Sequence, residues 1–115
     1  MKEGDVSLAI LPQSDRITKP RPVVLLKEMP PFGDWLVCGV TTQLQHEVPG
    51  FDEILAMSDS DFIQSGLKRT SLIRLGFLVV IAAQEIIGRL GEISSERRTR
   101  LLHSLVTYLD SSPSI

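Results

Sequence analysis

Residues 18–26 read TKPRPVVLL, with one arginine held between two prolines at the head of an apolar run. Each proline steers the residue before it away from helical geometry, so Lys19 and Arg21 are both extended. Pro22 suits the first residue of a strand, where no ladder donor is needed. The run PVVLL, continuously apolar and partly β-branched, fits a strand covered on both faces. The backbone of Arg21 is therefore fixed before any ligand arrives, and its planar fork of donors matches a phosphate or a carboxylate. Two readings of that arginine stay open at this level: an anion-binding residue, or one half of an ion pair with an acid such as Asp15 or Glu53.

Working outward, DVSLAIL (5–11) reads as a strand, and PQSDRITKPRP (12–22) as the Pro-, Ser- and Asp-rich loop that follows it. EMPPFGD (28–34) makes a turn and WLVCGVTTQ (35–43) supplies the next strand, polar at its tail in Thr41, Thr42 and Gln43. A pair of threonine hydroxyls at a strand end is able to hold a phosphate oxygen, so Thr41 and Thr42, taken with Arg21, sketch a phosphate site. LQHEVPGFD (44–52) is a loop, EILAM (53–57) a short strand, and SDSDFIQSGLKR (58–69) a connection of undefined form. TSLIRL (70–75) and FLVVI (77–81) are two strands, or one strand bent at Gly76. In ISSERRTRLLHSLVTYLDSS (93–112), Ser94 or Ser95 serves as N-cap, and Leu101, Leu102, Leu105, Val106 and Leu109 recur at helical spacing. Short strands followed by a terminal amphipathic helix predict a mainly β, α+β fold: a small, strongly curved antiparallel sheet or SH3-like partial barrel.

At 115 residues the chain makes a single domain, 1–115, with enough apolar content for one core. Its start carries both signs of charge and lacks an apolar segment of secretory type, and its longest apolar run, 76–83, is too short to span a membrane. A soluble, cytoplasmic protein is expected. The lone Cys38 sits in the apolar stretch WLVCGV and reads as a buried, inert thiol. The net charge of −2 conceals segregation: Arg16, Lys19, Arg21 and Lys27 fall together, residues 28–67 hold seven acids and no Lys or Arg, and Lys68, Arg69 and Arg74 follow. If the two basic segments meet, they form a cationic patch on an acidic protein, suited to a polyanion or an acidic partner.

Competing chemistries find little support. His46 lies in a loop and His103 on the polar edge of the helix, which points to surface roles. SDSD (58–61) lacks the glycine turn and distal glutamate of a calcium loop, no Cys/His spacing suits zinc, and GRLG (88–91) lacks the lysine of a P-loop. Arg97, Arg98 and Arg100 stand near the helix N-terminus, where the dipole disfavours cations; they either bind an anion or are tolerated.

Taken in order, KEGDV (2–6), KPRPVVLL (19–26), VTTQLQ (40–45), SLIRL (71–75) and GEIS (91–94) resemble the MazF/PemK toxins of bacterial toxin-antitoxin pairs over nearly the whole chain. That resemblance implies small curved β-barrels with helices, homodimers, a cognate antitoxin partner, and metal-independent endoribonuclease activity on single-stranded mRNA at short sequences, without a cofactor. It implies Arg21 and Thr41 as catalytic residues, and Lys19, Thr42 and Gln43 as RNA contacts. The loop 13–19 is then a segment that gates the RNA groove. The pattern departs at Gly76-Phe77, where many relatives carry polar RNA-contacting residues. A rival reading on the same architecture is a non-catalytic toxin or inactive relative that acts by binding protein, whether a topoisomerase-type target or only an antitoxin.

Overall fold

A computed structural model of the chain describes residues 1–11 and 19–112. Six strands form one antiparallel sheet: β1 (Asp5–Ala9), β2 (Arg21–Met29), β3 (Asp34–Thr41), β4 (Glu53–Leu55), β5 (Ser71–Ile81) and β6 (Ile86–Glu92), in the order β4-β5-β3-β2-β1-β6. Two α-helices accompany it, the single turn α1 (Phe62–Ser65) and α2 (Ser95–Leu109). The α+β class and the curved sheet expected from the sequence are what the chain adopts; the sheet is not closed, and β4 and β6 are its edges.

The run PVVLL occupies the middle of this sheet. β2 pairs with β1 on one side and β3 on the other, and Val23, Val24, Leu25 and Leu26 are all fully buried. Alternate residues feed two cores. Val24 and Leu26 join Val6, Cys38, Ile73, Leu75, Ile93 and the α2 residues Leu101 and Leu105. Val23 and Leu25 join Ala9, Leu11, Trp35, Val37 and Ile81 on the opposite face. A strand apolar on both faces is thus one with a core on each side.

The Ser94 hydroxyl accepts the backbone N–H of Arg97 at 3.1 Å and caps α2. Its buried stripe is narrower than the spacing predicts, since Val106 and Leu109 are exposed. TSLIRL and FLVVI form one strand, β5, but its register on β3 jumps from Gly39↔Arg74 to Cys38↔Leu78, leaving Leu75, Gly76 and Phe77 as a wide bulge. β6 lies in residues that the pattern marks as no strand, because Gly88 and Gly91 break its alternation and most of its side chains are exposed. Those glycines have a use: a Cβ on Gly91 would lie 2.1 Å from the Gln64 carbonyl oxygen, so only glycine lets α1 sit on β6.

Candidate functional site

Antiparallel pairing brings the start of β2, the end of β3 and the start of β5 to one end of the sheet. The β2–β3 ladder runs through Leu25↔Val37 and Val24↔Cys38 to Val23↔Gly39, and Arg21 and Thr41 each lie two residues beyond that last pair, at the same end of their strands. Both fall on the face of the smaller core, in step with Val23 and Val37. Arg21 is exposed and Thr41 half-buried, while Lys19, Thr42 and Gln43 are all exposed around them. The Thr41 hydroxyl oxygen accepts the Gln43 backbone N–H at 3.1 Å, which orients the group and leaves its own proton available for an acceptor such as a phosphate oxygen. Gln43 in turn accepts from the Gln45 side-chain amide at 2.6 Å. The loop 13–19, the gating segment that the family resemblance implies, lies outside the described residues apart from Lys19.

Charge separates the same way. Lys2, Lys27, Arg89, Arg97, Arg98 and Arg100 are each paired with carboxylates. Of the two basic segments of the sequence, Lys27 pairs with Glu3 and Arg16 lies outside the described residues, while Lys19, Arg21, Lys68, Arg69 and Arg74 take no carboxylate partner among the described residues. The strand order places these cations on either side of β3, at the shared end where β2 and β5 both begin. Cations without acids to neutralise them set a positive field there, despite the net charge of −2. An Arg21–Glu53 pair is ruled out, because Glu53 is held by Arg97 at 2.8 Å and Arg100 at 3.0 Å; Asp15 lies outside the described residues.

The helical arginines have a structural task that spacing alone did not reveal. Arg97, buried, donates to Asp61 at 2.8 Å, to Glu53 at 2.8 Å and to Asp59 at 3.0 Å, so the SDSD stretch serves as its counter-charge. Burial by itself would raise the Asp61 carboxyl, but hydrogen bonds from Arg97 and Ser94 outweigh it and hold that group below the usual carboxylate range. Cys38 is buried, and desolvation pushes its thiol up to about 12, which suits the inert role expected of it. His46 and His103 are both exposed.

Over nearly its whole length the chain shares its fold with solved toxin and endoribonuclease structures. The Mycobacterium tuberculosis toxin MazF-mt6 superposes with a TM-score of 0.69 at 16% identity, covering 95% of this chain and 99% of that one. An endoribonuclease in complex with its cognate antitoxin from a mycobacterial species superposes with a TM-score of 0.67 at 18% identity, covering 96% and 97%. No protein-family model matches the sequence, and no curated protein does.

Proposed function

We propose that this chain is the toxin of a toxin-antitoxin pair and a metal-independent endoribonuclease that cuts single-stranded mRNA at short sequences. The observation that supports this reading is that β2 starts with Arg21 and β3 ends with Thr41 at one end of the sheet, where Lys19, Arg21 and Arg74 take no carboxylate partner among the described residues. In the proposed reaction a ribose 2′-oxygen attacks the adjacent phosphorus and the 5′-oxygen leaves. The 2′-hydroxyl proton is lost and the departing oxygen gains one, giving a cyclic phosphate and a free 5′-hydroxyl. Arg21, permanently cationic, stabilises the charge that builds on the phosphorane oxygens. Thr41 donates its hydroxyl proton as a hydrogen bond to a non-bridging oxygen, and Lys19, Thr42 and Gln43 contact the flanking RNA. An acidic, partly disordered antitoxin segment laid over the same cations is the inhibitor this surface suits. Homodimerisation is proposed from β5 and β6, where Leu78, Val80, Ile87 and Leu90 are exposed.

Incubating purified protein with a mixed RNA in EDTA and mapping the ends tests the reading. Defined cuts ending in cyclic phosphate are expected, with a loss of about 100- to 1,000-fold in Arg21→Ala at unchanged melting temperature. Uncut RNA, or equal cutting by Arg21→Ala, would refute nuclease action; growth inhibition persisting in that variant would favour the protein-binding rival. Sedimentation showing only a 12.7 kDa species at micromolar concentration would remove the dimer.

A further inference from the structure

The bulge in β5 is built to carry one aromatic ring. Leu75 cannot pair with β3 there, and its N–H is instead accepted by Asp52, a buried carboxylate, at 2.9 Å. Asp52 also accepts the Val48 N–H at 2.9 Å, so the bulge is clamped to the loop before β4. The clamped bulge lays Phe77 over Gly39: a Cβ at that glycine would meet three Phe77 atoms at 3.2–3.4 Å. Gly39 thus leaves the space that the ring fills. Phe77 nonetheless remains 37% exposed, although the same face of β2 and β3 carries buried core residues such as Val23 and Val37.

Gly39 and Thr41 share one face of β3 two residues apart, about 6.6 Å at strand rise. Arg74 pairs with Gly39 from β5 on that same face and stands diagonal to Thr41, about 7–8 Å away. A part-exposed aromatic side chain and a half-buried cation without an acid partner among the described residues therefore lie about one nucleotide's length from Thr41. We propose that Phe77 and Arg74 form a nucleotide subsite beside the scissile bond, the ring stacking the base and the guanidinium pairing its phosphate. The inference rests on the nuclease reading above and adds how the substrate is chosen. Stacking offers no hydrogen-bond code, so this subsite selects by ring size and prefers a purine, where a polar pair would read base edges.

The test measures binding of a fluorescein-labelled single-stranded RNA that spans the mapped cut site, with a 2′-deoxy sugar at the attacking nucleotide to prevent cleavage. Phe77→Leu keeps apolar volume over Gly39 but has no π face; it is expected to raise Kd about tenfold, as loss of one stacked base does. Phe77→Tyr should restore binding. Replacing the flanking base by an abasic site should weaken the natural protein equally and leave Phe77→Leu unaffected. Arg74→Ala should weaken binding of every sequence and lower the salt slope by about one. Wild-type protein that binds no RNA would defeat the nuclease reading and this subsite together. RNA bound equally by Phe77→Leu would overturn the subsite alone, and so would a loss in that variant accompanied by a shift in sedimentation, which would assign the ring to a subunit interface.

Discussion

Replacing Arg97 by alanine should cost more stability than any exposed charge in the chain. The side chain is 7% exposed and donates to three carboxylates, and of these Asp61 is itself 4% exposed. Their fates differ after the change. Glu53 retains Arg100, and Asp59, at 37% exposure, is hydrated. Asp61 keeps only the Ser94 backbone N–H, 3.0 Å away, and is left as a buried charge without a counter-ion. Removing one partner of a buried pair costs about 3–5 kcal/mol. At this chain length about 4 °C accompanies each kcal/mol, so a fall in Tm of about 12–20 °C is expected by calorimetry or circular dichroism at pH 7. Because the Asp61 carboxyl is depressed in the folded state, its contribution is present above the ordinary aspartate range near pH 4 and is lost as pH falls through the folded value. Wild-type stability should therefore decline below about pH 4, and in Arg97→Ala the part of that slope due to Asp61 should be lost or reversed, since burial without the guanidinium pushes the carboxyl up. A loss under 1 kcal/mol with the acid slope unchanged would refute the claim that this cluster anchors α2.

Three further outcomes follow from packing and charge. Gly91→Ala must push the Gln64–Ser65 backbone away from β6, with backbone atoms at 2.1–2.6 Å from the new Cβ; a loss of about 1–3 kcal/mol in urea melts is expected, and a neutral result would mean that α1 does not sit there. Native Cys38 should resist iodoacetamide at pH 8 and react only on unfolding, since burial keeps the thiol protonated; rapid labelling of folded protein, followed by mass spectrometry, would contradict its position. Asp52→Ala should lose about 1–3 kcal/mol through the unsatisfied Leu75 N–H and should also loosen Phe77, weakening RNA binding more than Ser111→Ala, whose hydroxyl bonds only Tyr108 at the exposed end of α2. Equal RNA affinity in the two variants would separate the clamp from the ring.

Local chemistry alone specified much of this protein. The proline restraint on Arg21, the doubly buried run of β2, the turn between β2 and β3, the Ser94 cap and the Thr41-Thr42 strand end depend on backbone preferences within a few residues, and those preferences act whatever the rest of the chain does. β6 escaped notice because its glycines serve a helix that packs on it from elsewhere, so its pattern answers a neighbour rather than its own face. Likewise the tasks of Arg97, Asp59 and Asp61 were illegible in sequence: a buried ion cluster joins residues 36 and 38 positions apart, and nothing local distinguishes those charges from solvated ones. The register decided the rest. Pairing β2 with β3, and β3 with β5, is a long-range choice made by burying both cores at once, and it alone brings Arg21, Thr41, Arg74 and Phe77 to one end of the sheet.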